Sequence, residues 1–153
     1  MHRLLVPLDG SALAEAVLPT AIELGTALAA DWILVRVVAP PPSAWAAASP
    51  DWGPVAVWEA EELGTQDAQR AAQDYLEEVR RRMPFPERVT VETPAGPVLT
   101  ALIKAAADQQ ATLMAMSTHG RGGLNRLVMG SVTDMVIRLS SVPVVVVRPS
   151  VVG

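Results

Sequence analysis

The feature that most constrains this chain is an alternation. Short apolar runs rich in Val, Ile and Leu recur between longer segments of helical periodicity, at residues 4–8, 33–38, 89–91, 113–116 and 144–147. Runs this short and this apolar read as strands buried on both faces, and helices between them read as crossovers. The pattern therefore predicts an α/β fold, an open parallel sheet of five strands with helices on both faces. The third run is the weakest, being interrupted by Thr90 and flanked by Arg88 and Glu92. A chain of 153 residues supports one core of ordinary size, and 1–153 is read as a single domain.

The connecting segments carry their own signals. Residues 11–29 place Ala14, Val17, Leu18, Ala21, Leu24 and Leu28 on one helical face behind Ser11 as N-cap, with a kink or ladder gap expected at Pro19. Residues 59–83 read as an amphipathic surface helix, with Ala72, Tyr75, Leu76, Val79 and Met83 inward and the run Arg80, Arg81, Arg82 on a solvated face. Residues 98–107 form another helix behind Gly96 and Pro97, and Ser131 with Asp134 gives a capping-box-like start to the last one. The segment 40–58 breaks the pattern, holding five of the thirteen prolines and Trp45, Trp52 and Trp58. It reads as an extended connection whose tryptophans pack back on the domain, or as a lid or partner surface.

Composition closes off several function classes. Half the residues are hydrophobic, which excludes general disorder, and a net charge of −4 offers no footprint for nucleic acid or anionic lipid. The absence of cysteine excludes disulfides and thiol chemistry. There is no apolar run of membrane-spanning length, and the 4–8 run is too short for a signal peptide, so the expected location is the cytoplasm.

Two places carry candidate chemistry. After the fourth run come Ser117, Thr118, His119, Gly120, Arg121, Gly122 and Gly123, and after six more residues Gly130, Ser131, Val132 and Thr133 open the last helix. Glycines let backbone N–H groups approach an anion, and a helix start adds free donors and the positive end of its dipole, so this reads as a phosphate site or, alternatively, as a tight strand-to-helix connection. At the end of the first run, Asp9 could bind a ribose hydroxyl or a phosphate-held Mg²⁺ if the first and fourth strands are neighbours where the winding reverses, or it could simply cap the next helix. P-loop, dinucleotide-binding, nucleophile-elbow and zinc-protease motifs are all absent, and His2 and His119 are the only histidines.

These residues together resemble the ATP-binding branch of the universal stress protein family, across essentially the whole chain. The family's glycine pattern, G-x-x-G, nine residues, then G-[ST], aligns with Ser117 to Gly120, then Gly130 and Ser131, with Ser117 standing where the first glycine belongs. The resemblance implies strand order 3-2-1-4-5 and a homodimer made through the last strand. It implies that Pro7, Leu8 and Asp9 line a nucleotide site, that Val37 touches adenine, and that Gly120, Gly123, Gly130, Ser131, Val132 and Thr133 surround ribose and phosphates. ATP or AMP with Mg²⁺ is the expected ligand, and the expected role is regulatory, with slow or no hydrolysis. The alternative is a nucleotide-independent dimeric partner-binding module. An adenylyl transferase is disfavoured, because residues 119–122 do not match a His-x-Gly-His motif.

Overall fold

The computed structural model describes residues 1–38, 54–118 and 130–149. Five strands, β1 (Arg3–Pro7), β2 (Asp31–Val35), β3 (Val89–Glu92), β4 (Leu113–Ser117) and β5 (Val144–Val147), form one sheet in the order β3-β2-β1-β4-β5. Every pairing is parallel. Among the described residues five α-helices accompany them: α1 (Ala12–Glu15), α2 (Leu18–Ala27), α3 (Pro54–Arg82), α4 (Val98–Asp108) and α5 (Gly130–Leu139).

Period-two alternation sorts the strand side chains between two cores. Leu4, Val6, Leu8, Trp32, Leu34 and Ala115 turn to the face covered by α1, α2 and α3, where Val17, Ala21, Leu76 and Val79 are buried. Leu5, Ile33, Val35, Met114 and Met116 turn to the other face, against Leu102, Ala105 and Ala106 of α4 and Val136 of α5. The central strand is thus apolar on both sides, and the expected sheet with helices on both faces is the one observed.

Several boundaries differ from the sequence reading. The expected helix over 11–29 is two helices. The break falls at Ala16 and Val17, and Pro19, needing no amide partner in a first turn, lies at the start of α2. The second strand ends at Val35 rather than Val38, although Arg36 N–H still donates to Glu92 O and Val38 bridges Ala95. α3 begins at Pro54, so Trp58 belongs to a helix and not to an extended connection. Trp45 and Trp52 lie outside the described residues. α5 opens at Gly130, which puts Ser131 inside the first turn rather than at the cap. The arginine run is only partly a solvated face. Arg82 donates to Glu15 of α1 at 2.9 Å, and the buried Nε of Arg80 sits 3.2 Å from Glu77 without hydrogen-bond alignment.

Two helices close in the same way before their strands. Ala29 (φ 49°) and Gln110 (φ 50°) take left-handed backbone, and Ala30 N–H returns to Gly25 O as Ala111 N–H does to Ala106 O. The first of these ends is further tied by Arg88, which donates to Ala29 O, Ala30 O and the Asp31 carboxylate while lying over the Trp32 ring.

Trp32 is fully buried and donates from Nε1 to Ala21 O at 2.9 Å. Its ring fills the space that a side chain at position 25 would take, since a Cβ on Gly25 would come within 2.4 Å of ring carbons. Gly25→Ala is therefore expected to destabilise the fold by about 1–3 kcal/mol through overpacking, measured as a lower urea midpoint.

Glu15 joins α1 to α3, accepting from the Tyr75 hydroxyl at 2.9 Å as well as from Arg82. Burial first, and then the hydrogen bond and charge of Glu15, hold the Tyr75 phenol well above its ordinary value. The chain has one tyrosine, so absorbance at the phenolate band isolates it. Its ionisation should be delayed relative to free tyrosine, and Glu15→Gln should move it back down. The linked stabilisation is fully present below the ordinary tyrosine pKa and is lost as pH climbs from there toward the raised folded value.

Candidate functional site

In a parallel ladder, alternate residues of a strand turn their backbone groups to opposite neighbours. Arg3 N–H donates to Thr112 Oγ1 and Arg3 O accepts from Thr112 N–H, while Leu8 N–H donates to Val35 O. Odd-numbered residues of β1 therefore face β4, and even-numbered ones face β2. Pairing of β1 with β4 runs through Leu4↔Leu113 and Leu5↔Met114 and stops, whereas pairing with β2 continues to Pro7↔Val35. The next rung toward β4 requires an N–H at residue 7, where proline has none. The ladder ends there by chemistry, and the two strands part toward their carboxyl ends.

The cleft lies at this parting. It has a volume of about 280 Å³ and is lined by Pro7, Leu8 and Asp9 from the end of β1, Val35 and Val37 from β2, and Met116 and Ser117 from β4, with Ala14, Val98, Leu102, Val132 and Thr133 contributed by helices. Open α/β sheets bind ligands at such a reversal of winding. Among the described residues most of the wall is apolar, and the polar side chains are Asp9, Ser117 and the buried Thr133. That combination suits a flat apolar ring with a polar substituent.

The turn behind Asp9 is tightly specified. Asp9 Oδ1 accepts from Ser11 N–H at 2.8 Å and from Ser11 Oγ at 2.6 Å, and Ser11 Oγ in turn accepts from Ala14 N–H to cap α1. Gly10 takes φ 89°, which favours glycine, and a Cβ there would stand 3.2 Å from the Arg36 guanidinium. Arg36 itself lies over the Tyr75 ring, 4.9 Å from its centroid. Asp9 is thus a partner of the capping residue rather than the cap.

Of the residues singled out in the sequence, Pro7, Leu8, Asp9, Val37, Ser117, Val132 and Thr133 line this one cleft. Gly130 and Ser131 open α5, directly before Val132. Gly120 and Gly123 lie outside the described residues. The cleft also gathers Ala14, Val35, Val98, Leu102 and Met116, which sequence reasoning assigned to helices and strands only. No local signal marks them, because an apolar residue lining a cleft looks like any other core residue.

The sequence pattern of the Universal stress protein family matches residues 1–148. The chain belongs to the universal stress protein family. Among relatives, it is 26% identical over 147 residues to the universal stress protein MJ0531 of Methanocaldococcus jannaschii, covering 95% of this chain and 81% of that protein. The solved structure of MJ0577 superposes with a TM-score of 0.77 at 25% identity, covering 97% of this chain and 96% of that one. A universal stress protein solved in complex with cAMP superposes with a TM-score of 0.59 at 20% identity, covering 97% and 98% respectively.

The role of residue 7 is open to direct test. Pro7→Ala restores the amide that the ladder lacks, so β1 and β4 are expected to pair further and narrow the cleft. The expected signature is a slowly exchanging amide at position 7 by hydrogen exchange, with the unfolding midpoint unchanged or higher.

Proposed function

We propose that this protein is an ATP-binding universal stress protein that acts as a nucleotide-dependent regulatory module, with hydrolysis slow or absent, and that it works as a cytoplasmic homodimer. The observation that carries this reading is the cleft where β1 and β4 part, whose lining includes residues marked independently by the glycine pattern and by the end of the first strand. In this reading the apolar wall of Val35, Val37, Val98, Leu102 and Met116 takes the base, with Pro7 and Leu8 beside it. Gly120, Gly123 and the start of α5 at Gly130, Ser131, Val132 and Thr133 take the phosphates, where unpaired backbone donors favour an anion. AMP satisfies the same base and ribose contacts. The cAMP complex of a relative lends support to a nucleotide as the class of ligand.

The donor set fits a magnesium ion held mainly by its nucleotide. Asp9 keeps one carboxylate oxygen free of Ser11, and among the described residues no group of three His, Cys, Asp or Glu side chains lies together to hold a metal. Mg²⁺ would then take one ligand from Asp9 and the rest from phosphate oxygens and water, the usual habit of this ion. When bound, it neutralises phosphate charge. Among the described residues, the side chains lining the cleft include no histidine or lysine.

The dimer in this reading forms through β5. That strand is at the sheet edge, its four valines are only half-buried, and Met135, Ile137 and Leu139 of α5 are exposed. An unpaired edge beside exposed apolar side chains favours pairing with a second copy. The same exposed side chains favour the second reading, a nucleotide-independent dimer that binds a protein partner.

Calorimetric titration of ATP with Mg²⁺ into ligand-free protein, with a parallel assay of released phosphate, decides between them. Saturable binding without turnover is the expected result, and Gly130→Val should weaken it at least tenfold while thermal unfolding stays cooperative. Full affinity in that variant would remove the phosphate cradle from α5. Absence of binding in the native protein would shift the assignment to the partner-binding dimer.

A further inference from the structure

Glu15, Arg36, Tyr75 and Arg82 form a polar cluster outside the cleft lining, and the nucleotide reading uses none of them. The cluster begins at the end of β2. Val35 and Val37 line the cleft, and strand alternation turns Arg36, between them, to the face that carries α3. There its guanidinium lies over the Tyr75 ring, 4.9 Å from the centroid. Its Nη1, Cζ and Nη2 would meet a Cβ on Gly10 at 3.2, 3.3 and 3.4 Å, so one guanidinium lies against both the turn behind Asp9 and the ring of α3. The same ring carries a second tie. Tyr75 Oη donates to Glu15 Oε1 at 2.9 Å, and Arg82 donates to the other carboxylate oxygen, also at 2.9 Å. The entry to α1 and its last residue therefore converge on one side chain.

α1 depends on such ties. It has four residues, none of them buried, and a helix this short does not sustain itself. α3 is anchored by its own core residues Ala72, Leu76 and Val79, so α3 is the fixed body and α1 the element it holds. Ala14 of α1 is part of the cleft wall, and it is there only while α1 is in place. We propose that Tyr75 is a positioning residue for the cleft: from α3 it holds α1 through Glu15 and Arg36, and so sets the fraction of molecules whose cleft wall is complete. Its effect on ligand affinity rests on the nucleotide-binding reading above. Apparent affinity scales with the competent fraction. The coupling is reciprocal, so a ligand that touches Ala14 favours the docked α1 and with it the bond to Tyr75.

The test uses three variants. Tyr75→Phe keeps the ring beneath Arg36 and removes the donor, Glu15→Ala removes the acceptor without lowering helix propensity, and Glu15→Gln keeps an oxygen that the phenol can reach. Hydrogen exchange needs no ligand: residues 12–17 should exchange about fivefold faster in Tyr75→Phe and Glu15→Ala, the worth of one such hydrogen bond, while residues 72–79 of α3 stay as protected as in the native protein. In titrations with ATP and Mg²⁺ both variants should bind about threefold to tenfold more weakly, and Glu15→Gln should stay within about twofold of native. Native affinity in Tyr75→Phe and Glu15→Ala overturns the positioning role even if the unfolding midpoint falls, since a merely structural bond would do only that. Glu15→Gln as weak as Glu15→Ala assigns the effect to the Arg82 ion pair and likewise overturns the role of Tyr75. Native protein that binds no ATP, yet shows the expected exchange pattern, overturns the nucleotide reading and the effect on affinity with it, and still supports the holding of α1 by Tyr75.

Discussion

Parallel strands bonded on both edges separate only where a hydrogen bond is withdrawn, and in this chain the withdrawal is at Pro7. β1 is bonded along its full length to β2 but to β4 only through Leu4 and Leu5. The strand residues that line the cleft are placed by that asymmetry. The end of β1 stays with β2, so Leu8 and Asp9 are carried beside Val35 and Val37, and Met116 and Ser117 are left facing them with space between. The apolar character of the wall has the same origin, since residues that would be core in a continuous ladder become lining where it ends.

The element that spans this gap is the smallest in the fold. α1 has neither the length to hold itself nor a buried residue of its own, and it is fixed from outside on three sides. Asp9 and Ser11 fix its start, Ser117 fixes its carbonyls from β4, and Glu15 ties it to Tyr75 and Arg82 of α3. A helix held by polar tethers rather than by its own ladder is cheap to shift. One side of it lines the cleft through Ala14 and the other faces α3, so a change at the cleft has a short physical path to the long helix that follows the tryptophan-rich segment.

Much of this was legible before the structure, and the limits have physical reasons. Five apolar runs in a helical background gave the sheet and its two covered faces, because burial on both sides leaves no polar residue to hide the signal. The strand order was not in the periodicity; it came with the resemblance carried by Ser117 to Ser131. Helix ends were read poorly where the usual markers were missing. Ala29 and Gln110 adopt the left-handed closure that glycine ordinarily marks, and the interruption expected at Pro19 falls just before it, with the proline in the first turn of a new helix. Asp9 and Ser117 were singled out by position, but their hydrogen-bond partners are long-range or local in ways that sequence spacing does not encode. Ser117 reaches a carbonyl more than a hundred residues earlier.

The placement of β1 in the middle of the sheet also sets an order of assembly. Its partner on one side follows within the first quarter of the chain, while Arg3 meets Thr112 across a separation of 109 residues. During synthesis from the N-terminus, β1, β2 and β3 can associate as soon as they emerge, but β4 arrives late and brings Ser117 with it, and α5 arrives later still. The cleft has no wall on its β4 side until then, and α1 lacks the one of its three anchors that Ser117 supplies. Any molecule that binds there meets only chains whose α5 has been made, and by mass action it holds them in that state. Occupancy of the cleft is in this sense a record of synthesis carried past β4 and α5, written at a seam whose two sides lie 109 residues apart.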